Sequence, residues 1–122
     1  METPEVPAGV LLQSLIFDVQ DRVGGYRIYN NGRYETRPLG QEWTFGSPLT
    51  PAQLEAVKAA IAAAGFERLA GRYQAAPSDE DHNILWMQVV EGQTVRSVAI
   101  EGSCQVPEIN TLSAQLVEIF KK

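Results

Sequence analysis

The sequence predicts an α+β fold: a single two-layer domain in which an antiparallel sheet of about four to five strands carries two helices on one face. Three observations lead there. Two stretches alternate apolar and polar residues around the turn pairs Asn31-Gly32 and Gly92-Gln93, as β-hairpins do. Two others repeat apolar residues at three- and four-residue steps, as amphipathic helices do. The 122 residues, 44% of them hydrophobic, hold no internal repeat and no dividing linker, which suits one core. The order is β, β-hairpin, α, β-hairpin, α, and two helices on one face bury both apolar stripes.

Residues 1–8 read as a polar tether before a domain spanning 9–122. Pro4 and Pro7 discourage regular structure there, and the acidic opening lacks the apolar region of a signal peptide. Leu11 to Val19 is the first strand, with Leu11, Leu15, Phe17 and Val19 on one face and Ser14, Asp18 and Gln20 on the other. Gly24-Gly25 breaks it. Around Asn31-Gly32 a two-residue type I′ loop sets Tyr29 opposite Tyr34 and Arg27 opposite Thr36. Residues 38–49, with two prolines and two glycines around Trp43 and Phe45, read as a long connection without steady period.

Thr50 opens the first helix as a cap, with Pro51 in the first helical position and Gln53 completing a T-x-x-Q capping box. Leu54, Val57 and Ile61 form its apolar stripe, alanines thin its profile, and Gly65 sits where a left-handed cap is expected. From Glu67 the chain passes Leu69 and Tyr73 into a polar loop, Pro77-Ser78-Asp79-Glu80-Asp81. In the second hairpin Leu85, Met87, Val89, Val98 and Ile100 share one face, and Trp86, Gln88, Val90, Val95, Ser97 and Ala99 the other. Pro107 then starts a helix striped by Ile109, Leu112, Leu116 and Ile119, with Lys121 and Lys122 at its negative end.

Ten basic residues against fifteen acidic ones give a net charge of −5. A nucleic-acid binder needs a basic stripe, and a protein held on anionic lipid needs a basic face, so neither class fits. No run approaches the roughly 20 apolar residues of a membrane span. One cysteine excludes an internal disulfide, and one histidine excludes most zinc sites. His82 beside Asp79, Glu80 and Asp81 reads as a solvated loop, since adjacent loop residues do not converge on one ion. Cys104, just before the second helix, has no base or C-x-x-C partner and reads as a semi-buried small residue. Phosphate-loop and nucleophile-elbow motifs are missing. The expectation is a protein without enzymatic chemistry, cofactor or metal.

The sheet face turned away from the helices is the candidate site. Trp86, Val90 and Val95 point there, and Tyr29 and Tyr34 share the face if the first hairpin docks that way. An open sheet face is normally polar, so this apolar area calls for a partner or a cover. Two arrangements are open: a protein partner or self-association on that face, or loop 38–49 folding back with Trp43 or Phe45 on it. Arg22, Arg27, Arg33 and Arg37 cluster in the first hairpin region, whereas between Tyr73 and Phe120 Arg96 stands among seven acids. Such lopsided charge suits oriented docking.

Asp21-Arg22-Val23-Gly24-Gly25 before Tyr26-Arg27-Ile28-Tyr29-Asn30-Asn31-Gly32-Arg33, then Leu49-Thr50-Pro51-Ala52-Gln53-Leu54 and Ala64-Gly65-Phe66-Glu67-Arg68-Leu69, then a hairpin and a Pro-led helix, form a pattern over nearly the whole chain. It resembles small bacterial domains that include the emfourin-type inhibitors of protealysin-like metalloproteases and related domains of exported lipoproteins. The resemblance implies a compact α+β domain that binds protein: an inhibitor-like module or an accessory subunit of a bacterial complex. The alternative is a small-ligand binder with a pocket between loop 38–49 and the sheet.

Overall fold

The computed structural model describes residues 3–74, 83–102 and 104–121. The Asp79-Glu80-Asp81-His82 run lies outside the described residues. The strands are β1 (Val10–Phe17), β2 (Val23–Tyr29), β3 (Tyr34–Arg37), β4 (Thr44–Phe45), β5 (Arg72–Tyr73), β6 (Ile84–Glu91) and β7 (Thr94–Glu101). The helices are α1 (Pro51–Ala64) and α2 (Pro107–Phe120), with a 3-10 turn at Phe66–Arg68. No described helix is long and apolar enough to cross a membrane.

The α+β class, the single domain and the two helices agree with the sequence; the sheet is larger than expected. Seven strands run in the order β4-β3-β2-β1-β6-β7-β5 rather than four to five. The sheet is also mixed, because β5 pairs with β7 in parallel while the other pairs are antiparallel. The two additional strands, β4 and β5, have two residues each and form both edges. So short a strand carries no periodicity. It exists because a finished neighbour offers its hydrogen bonds, and its shortness blunts the edge against further pairing.

The second hairpin keeps its expected register, with Glu91 opposite Thr94 and Gly92 at φ 66°. The first is shifted by one residue. Ile28, not Tyr29, faces Tyr34, and Arg27 faces Glu35 rather than Thr36. The loop has three residues, closed by Tyr29 N–H to the Arg33 carbonyl at 2.9 Å. Gly32 takes φ 90° while neither asparagine adopts a positive φ. A type I′ turn needs two left-handed residues, whereas a type I turn followed by a left-handed glycine needs one. The shift carries Tyr34 to the helix side and leaves Tyr29 on the outer face.

Strand β1 also departs from the expected pattern. Its pairing with β2 slips between Val10 and Leu12, so Leu11 joins the helix-side core instead of sharing a face with Leu15 and Phe17. Val19 lies beyond the strand and is exposed. Leu12, Ile28, Met87, Val89, Val98 and Ile100 meet Val57, Ala60, Ile61 and Ala64 of α1 and Ile109, Leu112 and Leu116 of α2. Tyr26, Tyr34 and Phe120 close one end, with Phe120 edge-on to Tyr26 at 5.6 Å between ring centroids.

The capping box of α1 is complete. Thr50 Oγ1 accepts from Gln53 N–H at 3.1 Å, and Gln53 Oε1 accepts from Thr50 N–H at 2.8 Å. The Gln53 amide also donates to the Ile119 carbonyl at 3.0 Å, tying the start of one helix to the end of the other. Gly65 ends α1 at φ 67°, ψ 55°, the left-handed conformation.

Thr50→Ala should therefore cost on the order of 1 kcal/mol in urea melts, and Gly65→Val should cost more than Gly65→Ala. Equal stability of all three variants would reject both assignments. Burial pushes the Tyr26 phenol up to about 12, against the pull of its hydrogen bond with Ser14. The unfolded chain ionises this group near pH 10 and the folded chain resists, so the contribution is intact below pH 10 and is lost as pH rises towards 12. The loss should reach about 2–3 kcal/mol. Tyr26→Phe should flatten that alkaline slope in pH-dependent melts; an unchanged slope would refute the assignment.

Candidate functional site

Alternation along the strands places Gln13 and Leu15 of β1, Arg27 and Tyr29 of β2, Glu35 of β3, Phe45 of β4, Trp86 and Gln88 of β6, and Ser97 and Ala99 of β7 on the face away from the helices. At one end Trp86, Leu15 and Ala99 form a second apolar cluster, against which Phe17, Val23, Ile84 and Trp43 pack. Trp86 is only 5% exposed, so the expectation of an open tryptophan is corrected. Of the two arrangements left open, loop 38–49 folds back and lays Trp43 on the face.

The middle of the face is a polar ladder. Arg27 Nε donates to Gln13 Oε1 at 2.5 Å, Gln13 Nε2 donates to Gln88 Oε1 at 2.9 Å, and Gln88 Nε2 donates to Ser97 Oγ at 3.0 Å. Both glutamines are fully buried. Their remaining amide protons point away from the sheet: Gln13 Nε2 donates to the Glu5 carbonyl at 3.0 Å and Gln88 Nε2 to the Pro4 carbonyl at 2.9 Å. The segment expected as a polar tether thus lies across the strands, Pro4 over β6 and Glu5 over β1. Every amide hydrogen of the pair is used, as burial requires.

Along the β2–β4 side of the face, continuing the row of the ladder, the rim is cationic and aromatic. The guanidinium of Arg27 stacks on Trp43, 3.9 Å from its ring centre. That of Arg33 lies between Tyr29 at 4.9 Å and Phe45 at 4.5 Å. Glu35, itself buried, accepts from Tyr29 Oη at 2.6 Å and Arg33 Nη2 at 3.3 Å, with Arg27 Nη1 3.9 Å away. Burial first, and then the Glu35 carboxylate, hold the Tyr29 phenol above its ordinary value. Of the four clustered arginines, Arg22 pairs with Asp18 at 2.7 Å and Arg37 donates to the Gln41 carbonyl, which leaves Arg27 and Arg33 to the rings.

Among the sequence candidates the structure brings Tyr29, Trp43 and Phe45 together at this rim. Trp86 is buried near them, whereas half-buried Val90 and exposed Val95 lie beyond the ladder at the hairpin end. Tyr34 is on the opposite face, against Tyr26 and Phe120. Gln13, Gln88 and Glu35 are not among the sequence candidates, although two glutamines inside largely apolar strands are a legible sign of buried polar groups.

Among the described residues little else offers chemistry. Cys104 Sγ donates to the Gln74 carbonyl at 3.0 Å. No three His, Cys, Asp or Glu residues among those described could hold a metal. A groove of about 620 Å³ between α1 and α2 is lined by small side chains such as Ala56, Ala63 and Ala114. A recess of about 270 Å³ lies between residues 47–49, Tyr34, Gln53 and Phe120. In comparisons with known proteins, no family model matches the chain, and no curated protein or solved structure matches it.

Because Gln13 and Gln88 share one hydrogen bond and each serves two further partners, Gln88→Leu should cost about 1–3 kcal/mol. A double-mutant cycle with Gln13→Leu in urea melts should show a coupling of at least about 0.5 kcal/mol. Additive costs would mean that the ladder is not a unit.

Proposed function

We propose that this chain is a non-enzymatic protein-interaction domain that docks through the outer face of its sheet, with the rim of Phe45, Arg33, Tyr29, Arg27 and Trp43 as its anchor. One observation carries this reading: Phe45 is 71% exposed, and its ring lies under the Arg33 guanidinium at 4.5 Å. An exposed aromatic ring is costly in water, and one already ordered loses little freedom on binding. Aromatic residues and arginine dominate binding energy at interfaces. Val95, 49% exposed, gives the far end of the face a second apolar contact. The resemblance to emfourin-type inhibitors points to the same class, and Cys104 Sγ is engaged with the Gln74 carbonyl.

The second reading, a small-ligand binder, is favoured by the recess under residues 47–49. Its volume of about 270 Å³ falls below the roughly 300 Å³ where drug-sized sites begin, and the larger groove of about 620 Å³ between α1 and α2 is lined by neither loop 38–49 nor the sheet, so the protein reading takes precedence.

Wild type, Phe45→Ala and Arg33→Ala, used as baits in pull-downs from the source organism with mass spectrometry, should separate the two. A partner held by wild type should weaken about 30-fold or more with either variant, as truncation of an interface anchor does, while melts stay close to wild type. Identical capture by all three proteins would overturn the rim as the docking surface.

A further inference from the structure

The ladder has a direction. Arginine only donates, so Arg27 turns the Gln13 carbonyl towards itself and the Gln13 amide towards Gln88. Gln88 is oriented in the same way, with its amide towards Ser97. Both glutamines therefore present N–H groups outward, on neighbouring strands, and both outward groups meet backbone carbonyls of the chain's own N-terminal segment. Those contacts are donors from the face and acceptors from the segment.

The segment matches that demand. Pro4 and Pro7 have no N–H, and each holds φ near −65°. Thr3 and Val6, each preceding a proline, are kept out of the helical region. An extended, proline-containing backbone shows its carbonyls and makes no internal hydrogen bonds. Pro4, Val6 and Pro7 are half-buried while Glu5 and Ala8 are exposed, so the segment has a face-side and a solvent side. It belongs to no strand, and its two ladder contacts are with side chains.

We propose that the outer sheet face is a track for an extended, proline-containing peptide segment of a partner protein, occupied in cis by residues 3–7 until the partner displaces them. The proposal rests on the reading of this face as a protein-binding face and adds the chemistry of what binds. The occupant itself is the template: a segment rich in N–H would bring donors to a track that already presents donors. The Arg–aromatic rim lies beside the track, so one partner can engage both.

The test uses the full chain and its Pro4→Gly/Pro7→Gly variant, in which the cis segment is loosened and the track is untouched. The probe is a capped peptide with the sequence of Thr3–Gly9, and the control is the same peptide with both prolines replaced by glycine. NMR titration follows the side-chain amide resonances of Gln13 and Gln88. In the intact chain the cis segment competes at an effective concentration in the millimolar range, so binding of the probe should be weak but visible at those resonances. The loosened variant should bind the probe about tenfold more tightly, and the glycine peptide about tenfold less well than the probe. Unmoved Gln13 and Gln88 resonances in both proteins, or equal affinity for the two peptides, would overturn the track. Dimerisation by exchange of N-terminal segments, seen as a doubled mass in light scattering, would overturn it too by making the occupant a second copy. If the track fails while capture still depends on Phe45, the docking rim stands; if both fail, the face is not a protein-binding face.

Discussion

The outer half of this molecule depends on a single donor-only side chain. Arg27 sits on β2, the third strand of seven, stacked on Trp43, beside the Glu35 carboxylate and bonded to Gln13. Had a neutral amide stood there, the glutamines could flip and the ladder would have two equivalent directions. With a guanidinium there is one, and the two amides must aim their spare protons outward. Burying two glutamines is then tolerable only because carbonyls of the N-terminal segment meet those protons, so the covering segment follows from the arginine.

A sheet with helices on one side normally leaves its other side to water, and such strands alternate apolar with polar residues. Here β1 is buried on both faces from Val10 to Leu15. The cover on the second side comes from two irregular pieces, the N-terminal segment over the ladder and Trp43 over the Trp86 cluster. Neither is a regular layer. Together they leave the Phe45–Arg33 rim and the Val90–Val95 hairpin end open, and so restrict where a partner can reach the face.

That partition gives the face two chemistries side by side. The rim offers a cation held between aromatic rings, with Glu35 absorbing part of its charge; the ladder offers side-chain amide donors to a partner's backbone carbonyls. A partner that used both would be read by charge and ring contact at one place and by backbone shape at another. The helix side, by contrast, presents a groove of small side chains between α1 and α2, with neither arginine nor aromatic anchors along it.

Whatever rests on local chemistry was legible along the chain. The Thr50–Gln53 box, the Gly65 terminus, the apolar stripes of both helices and the Gly92-Gln93 hairpin each depend on residues within a few positions of one another, and the structure keeps them. The one-residue shift at Asn31-Gly32 was decided between two turns that the same residues allow, with Gly32 alone left-handed. Folding alone set β4 and β5, because a two-residue strand is made by its neighbour's unpaired hydrogen bonds. It also decided that Leu11 turns to the helices at a bulge, and that Trp43 rather than a partner covers Trp86. The Gln13–Gln88 pair lies 75 positions apart in the chain and needs β1 beside β6 before its hydrogen bond can exist. The two glutamines stand out in apolar strands, but which group each one meets has no local signature, since the energy that orients them comes from groups the chain brings together only by folding.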